Sequence, residues 1–315
     1  MTRPSNSRSR RPNLQEAPMR GVLVSMVFCF ALLMVGCGAS RQSGVCGTMD
    51  FPKVEGDAQA LIAQGDAAWA ERGDEARLRE AVTSWQQAVA IDPTNADTRV
   101  KLARAHYFLA DGYIRFDEEK KEEMLSHFEM GTNQAEIALA QAYPAYRSKF
   151  CARQPFSSAL QQLDKGAVPA IYWYATNLGK YALAKSIVTV LNEKDRIKAM
   201  MGFIKSSDEG FFYNAADRYF GAFYTKIPFP NGDLPKSRGH FEASIAGSPT
   251  YLATKVLFAS MNTLKAGDKA TFKRLLDEVA AFDLQTAPEL LPENTIEKRK
   301  AADLLDEIDV YFPED

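Results

Sequence analysis

The sequence predicts an all-α protein, a stack of helical hairpins set behind an export leader. Three observations carry that prediction. Downstream of Asp57 apolar residues recur at helical spacing, while strict alternation is scarce. Gly and Pro fall at intervals that punctuate such helices. A five-position signature of small, aromatic and Pro residues occurs twice, from Gly65 to Pro93 and again from Gly221 to Pro249.

The leader comes first. Arg3, Arg8, Arg10, Arg11 and Arg20 stand against Glu16 alone, and an uncharged run, GVLVSMVFCFALLMVG, fills residues 21–36. That run is shorter than the roughly 20 apolar residues a membrane span needs. It stops at Met34-Val35-Gly36-Cys37 and turns polar at once. Small residues before a cysteine resemble the lipobox of bacterial lipoprotein signal peptides, with Met34 where Leu is commoner. The resemblance implies a diacylglycerol on the Cys37 thiol, removal of residues 1–36, and Cys37 as the first mature residue. An uncleaved anchor ahead of the same exported domain is the alternative. Gly38, where an Asp would hint at inner-membrane retention, implies the outer membrane with the domain facing the periplasm. Two or more acyl chains hold firmly, because each buried CH₂ adds about 0.8 kcal/mol.

Without residues 1–36 the net charge falls from -2 to about -6, which leaves no sequence-wide footprint for nucleic acid. Hydrophobic residues at 46% and charged residues at 25% describe a folded domain rather than a disordered one. Cys29 leaves with the leader and Cys37 is the lipid site, so Cys46 and Cys151 remain. An exported pair can oxidise into a bridge tying the N-terminal arm to the domain, or stay as two partly buried thiols. No CxxC spacing supports zinc or redox chemistry.

Residues 37–56, with their Gly and Ser and no periodicity, read as a flexible tether, and residues 57–315 as one helical domain. In the first unit, Ala81, Trp85 and Ala88 share one helix face, and Pro93 stops the helix because it lacks an N–H and clashes with the preceding turn. Gly65, Ala81, Trp85, Ala88 and Pro93 match the small, aromatic and Pro positions of a tetratricopeptide (TPR) repeat, with a turn four residues too long at Arg72–Glu75. Gly221, Ser237, Phe241, Ser244 and Pro249 repeat the spacing, and the longer turn recurs at Pro228–Asp233. The fold class is therefore a TPR-like helical-hairpin solenoid, in which each hairpin buries its apolar face only by stacking on neighbours. Helices are predicted over 57–71, 76–91, 96–115, 119–142, 167–191, 193–206, 210–225, 235–246, 249–266, 269–282 and 293–309. Pro144, Gly166, Pro228, Pro249, Gly267, Pro288 and Pro292 fall in the gaps. Residues 143–164, with Pro144 and Pro155, read as a long loop over the solenoid.

Catalytic chemistry finds little support. His106, His127 and His240 form no HxxxH or HExxH pair, so they read as structural or surface histidines. No GxSxG elbow, P-loop or helix-opening GxGxxG occurs, and no cofactor is implied. The acidic Asp117-Glu118-Glu119 run sits with Lys120-Lys121 on a solvated turn. The aromatic clusters are more telling. On one helix Ile171, Tyr174, Leu178 and Tyr181 form a core stripe, while Trp173, Asn177, Lys180 and Ala184 mix one ring with polar groups. With Tyr213 from Phe211-Phe212-Tyr213, the residues Trp173, Asn177 and Lys180 are candidates to line a concave wall, against the simpler reading of core rings. In the stiff turn from Lys226 to Asp233, Phe229 and Asp233 are candidate contacts; Phe229 either meets a partner or folds back on its own repeat.

Several ordered motifs resemble one family. They are Val168-Pro169-Ala170-Ile171-Tyr172-Trp173, the Asn231-Gly232-Asp233 turn, Lys236 to Ile245, Lys255 to Ala259 and Phe272 to Leu276. In that order they resemble the T-component (TatT-type) lipoproteins of tripartite ATP-independent periplasmic (TRAP) transporters, from about Asp57 onward. Asn231 stands where the family usually has Gly, and Ser237 and Ser244 where it usually has Ala. The resemblance implies a non-enzymatic, periplasm-facing accessory that docks a TRAP substrate-binding protein or handles a small hydrophobic or organic-anion ligand. It carries over no catalytic, metal or binding residue, and a homo-oligomer stays open. A general scaffold lipoprotein for envelope assembly is the competing function.

Overall fold

The computed structural model describes residues 43–52, 54–228 and 230–313, and among these the chain is helical with no strand. The helices are α1 (Ala58–Ala70), α2 (Glu75–Ile91), α3 (Ala96–Gly112), α4 (Lys121–Ala142), α5 (Pro144–Cys151), α6 (Phe156–Leu160), α7 (Val168–Lys185) and α8 (Ile187–Ser207). They continue with α9 (Phe211–Lys226), α10 (Leu234–Gly247), α11 (Ala253–Phe258), α12 (Leu264–Ala266), α13 (Lys269–Ala281), α14 (Leu291–Asp306) and α15 (Ile308–Tyr311). A π turn, Ala259–Thr263, joins α11 to α12. None of the described helices is long and apolar enough to cross a membrane.

Side-chain caps start many of them. Asp57, Asp74, Asn95, Ser186, Asp233 and Asp268 each accept a hydrogen bond from a backbone N–H of the first turn they precede.

The two repeated units fold alike. A Cβ on Gly65 would come within 2.5 Å of the Trp85 ring, and one on Gly221 within 2.7 Å of the Phe241 ring. In each hairpin, glycine lets an aromatic of the second helix press on the backbone of the first, and both rings are buried. The serines of the second unit do more than replace alanine. Ser237 Oγ donates to Gly221 O at 2.7 Å and Ser244 Oγ donates to Asn214 O at 3.2 Å, tying α10 to α9. A third close approach sets Asn177 of α7 against Gly131 of α4.

Several expectations need correction. Residues 143–164 are not a long loop: they hold α5 and α6, with Tyr146 fully buried beside Phe150 and Phe156. Pro144 opens α5 and Pro292 lies in the first turn of α14, positions that need no proline N–H. The helix predicted over 167–191 ends at Lys185, because Ser186 caps α8 instead. The helix predicted from residue 249 starts at Ala253. Part of the segment read as tether is packed: Val45 is buried, Arg147 donates to Val45 O and Gly47 O at 2.8 Å each, and Cys46 is disulfide-bonded to Cys151.

The stack also closes on itself. Ile296 of α14 joins the apolar cluster of α1, α2 and α3. Arg72, in the α1–α2 turn, pairs with Glu293 of α14 at 2.8 Å, and Tyr113 Oη donates to Arg72 O at 2.7 Å. The last long helix thus lies against the first hairpin, and what sequence reasoning read as a concave wall becomes one side of a cleft.

Candidate functional site

Two helix faces build that cleft. Arg104, Tyr107, Phe108 and Asp111 of α3 fall at i, i+3, i+4 and i+7, and Glu293, Ile296, Glu297 and Lys300 of α14 repeat that spacing opposite them. Trp173 of α7, Phe212 at the start of α9 and Tyr251 before α11 supply the remaining wall. The inner pocket has a volume of about 20 Å³, room for one ordered water. It adjoins an open cleft of about 370 Å³ through Gly112 and Ile296, which line both; Tyr113, Leu291 and Arg299 form part of the outer wall. A cleft of that size suits a small molecule.

Charge in this region is dense and unequal. Asp111 accepts from Lys180 at 2.7 Å, Lys300 at 2.8 Å, Arg115 at 3.1 Å and the Tyr107 hydroxyl at 3.3 Å. Glu297 holds Lys300 at 2.7 Å, and Glu293 holds Arg72 at 2.8 Å and Arg104 at 3.3 Å. Arg218, buried behind Tyr251 with its guanidinium carbon 4.6 Å from the ring centroid, donates only to neutral oxygens of Phe212, Tyr213 and Tyr172. On the lining itself Arg104, Lys300 and Arg299 meet three carboxylates, and Lys180, Arg115, Arg72 and Arg218 stand behind it. Arg104 also lies over Trp69, Phe212 and Trp173 at 4.8, 5.3 and 5.8 Å, a cation held by ring faces.

Burial alone would raise the Asp111 carboxyl, but Lys180, Lys300 and Arg115 hold it well below its ordinary range. Burial lowers Lys180, whereas for Lys300 the attraction of Asp111 and Glu297 outweighs burial and raises it. Burial pushes the Tyr107 and Tyr251 phenols well up, so both stay neutral donors.

The entrance to α9 is strained. Phe212, Tyr213 and Asn214 have φ of 45°, 60° and 54°, three consecutive left-handed residues, none of them glycine. At about 1–2 kcal/mol each, the turn costs roughly 3–6 kcal/mol. It persists because its surroundings over-determine it. Arg218 grips the Phe212 and Tyr213 carbonyls, Ser248 donates to Asn214 Oδ1 at 2.7 Å, and Gly247 leaves room for that amide. Tyr213 stacks on Tyr251 at 4.7 Å and 4°, and Phe212 packs on Trp173 and Tyr172. The strain presents Phe212 to the cleft.

The residues singled out from sequence divide accordingly. Trp173 lines the pocket, Lys180 reaches it through Asp111, and Tyr213 braces its wall. Asn177 does not: it is fully buried, and its amide donates to Ala103 O at 3.0 Å and Trp173 O at 2.8 Å, which makes it a clamp between α3, α4 and α7. Asp233 is an exposed cap accepting from Lys236 N at 2.9 Å, a role set by its place one residue before α10. Cys37 and Phe229 lie outside the described residues. His106 and His127 meet with Nδ1 atoms 2.9 Å apart, and His240 meets Asp217 at 2.7 Å, contacts that sequence spacing did not show. Among the described residues no group of three or more His, Cys, Asp or Glu could hold a metal. Sequence reasoning missed Arg104, Asp111, Glu293 and Lys300. Their signal was the matched spacing on two helices about 190 residues apart, which only contact makes meaningful.

The described helices thus bring aromatic rings, two arginines, a lysine and three carboxylates together around one cleft. A family model described as TRAP transporter T-component matches residues 89–312. The chain belongs to that family, an accessory component of TRAP transport in the cell envelope. No curated protein matches it.

Proposed function

We propose that the protein is a lipid-anchored, periplasm-facing TRAP accessory that docks the substrate-binding protein and accepts a small organic anion with an apolar portion. The observation that supports the anion is Arg104 on the pocket lining: it lies over the faces of Trp69, Phe212 and Trp173 and shares Glu293, at 3.3 Å, with Arg72, while Arg299 of the outer wall lies over Phe116 at 3.7 Å. A ligand carboxylate would give these two cations a partner of their own. The aromatic walls and the 370 Å³ outer cleft suit the apolar portion.

Titration calorimetry of the purified protein against a panel of organic acids and their neutral amides tests the ligand. Binding of acids but not amides, weakened at least tenfold by Arg104→Ala, supports the reading. Equal binding of acids and amides, or no binding at all, sinks it. Co-purification from membranes tests the partner. Recovery of a TRAP substrate-binding protein supports docking, and recovery of envelope-assembly machinery in its place would favour the general scaffold.

A further inference from the structure

The described residues leave few large apolar side chains in water, and half of those singled out by exposure sit together. Leu183, Ile187, Val188 and Leu191 are 46%, 59%, 54% and 42% exposed at the corner where α7 turns into α8. The others are Val54, Leu291 and the neighbours Val310 and Tyr311, no more than two together along the chain. Clustering is the informative part, since single exposed aliphatics are ordinary. Ile187 and Leu191 form a stripe that Lys194 and Lys198 continue at helical spacing, and exposed Lys185 stands just before the corner. Asp195 is the exposed acid here and pairs with Lys194 at 2.7 Å; Glu193 is buried and turned to Arg196. An aliphatic tip fringed by lysines has the chemistry of a membrane-interfacial contact.

The position of the N-terminal arm argues for the same occupant. Cys46 is bonded to Cys151 at the end of α5, and Arg147 clasps the carbonyls on either side of Cys46. Phe150, next to Cys151, and Phe156 both carry the Arg196 guanidinium of α8 at 5.8 Å. From Arg196, Leu191 is five residues back along α8, about 7.5 Å of rise. The fastened end of the arm and the aliphatic corner thus flank one short run of contacts. Ser43 follows Cys37 by six positions, and at about 3.6 Å per residue that stretch reaches no more than about 22 Å. A lipid on Cys37 leaves the domain no long leash. It has to ride close to the bilayer, on the side from which the arm emerges.

We infer that the Leu183–Leu191 corner is a second membrane contact, seated on an anionic phospholipid surface and setting the orientation in which the cleft is presented. The inference rests on lipidation of Cys37 and is independent of what the cleft binds. Apolar insertion and lysine–headgroup attraction supply the energy.

The test uses the mature lipidated protein carrying Val188→Cys, with Lys273→Cys as comparison; Lys273 is exposed on α13. Each is nitroxide-labelled and reconstituted in vesicles of phosphatidylethanolamine and phosphatidylglycerol. Collisions with oxygen and with a water-soluble nickel complex report depth, and intact mass reports the diacylglycerol. The expected result is several-fold lower nickel access at position 188 than at 273, with higher oxygen access, reversed by adding Ile187→Asp or by vesicles of phosphatidylcholine alone. Lipid present with both labels equally open to nickel overturns the corner contact while leaving the anchor standing. Protection at 188 only after a substrate-binding protein is added gives the corner to a protein partner and also overturns it. Lack of the diacylglycerol removes the anchor and this contact together, while the calorimetric test of the cleft still stands.

Discussion

Replacing Asp111 with Asn keeps the shape of the side chain and removes the charge on which three cations converge. The three pairs are not equal. Lys300 is 10% exposed, Lys180 28% and Arg115 41%, so solvent screens the last and the first carries most of the loss. Breaking a buried pair from one side costs about 3–5 kcal/mol, because the partner is left charged and unmatched. Glu297 still holds Lys300 at 2.7 Å, which places the expected destabilisation at the lower end, about 3 kcal/mol. Urea unfolding at pH 7 measures it directly. A double-mutant cycle with Lys300→Met should show coupling above about 1.5 kcal/mol, and one with Arg115→Met below about 1 kcal/mol. The sign with pH follows from the depressed carboxyl: its stabilisation is present above the ordinary carboxylate range and is lost as pH falls through the folded value. The Asn variant's deficit should therefore persist to about pH 4 and shrink only below it. A loss under about 1 kcal/mol, or equal coupling to Arg115 and Lys300, would refute the charge-hub account.

Three further expectations use other parts of the molecule. Gly65→Ala and Gly221→Ala drive a Cβ into the Trp85 and Phe241 rings and should each cost about 1–3 kcal/mol in thermal melts, whereas Gly202→Ala, with nothing within 4 Å, should gain up to about 1 kcal/mol. Burial, and then His127, hold His106 down to about 3, so the unfolded chain binds protons that the folded one refuses. Stability should fall as pH drops below about 6.5, by up to about 1.4 kcal/mol per unit for this group, and His106→Leu should flatten that slope in denaturation between pH 7 and 5. Cys46→Ala, opening a bridge between positions 105 residues apart, should cost about 2–5 kcal/mol, with reductant shifting the wild type to match; a melt insensitive to reductant would contradict it.

Helix identity was legible wherever a local signal existed. Period and breakers placed α2, α3, α10 and α13 within a few residues. The Gly–aromatic pairs announced the two matching hairpins before any contact was visible. Legibility failed where the decision was not local. Pro144 and Pro155 read as breakers, yet a proline opening a helix or just preceding one breaks nothing, so α5 and α6 went unseen. Asn177 looked like a recognition group because its stripe held Trp173 and Lys180; that it faces Gly131 depends on how α4 and α7 pack.

Taken alone, the sequence determined the all-helical class, the paired hairpins and the family motifs, because periodicity, capping and small–large complementarity act within a few turns of chain. It could not decide that α14 would return to α3. Arg104, Asp111, Glu293 and Lys300 are ordinary surface-type residues until two distant helices face each other. Nor could it assign three left-handed residues to Phe212, Tyr213 and Asn214, since of the three only Asn has any local tolerance for that region. Arg218, Ser248 and Gly247, gathered by the fold, supply the forces that hold that turn. Local chemistry chose the helices, and long-range contact chose the site.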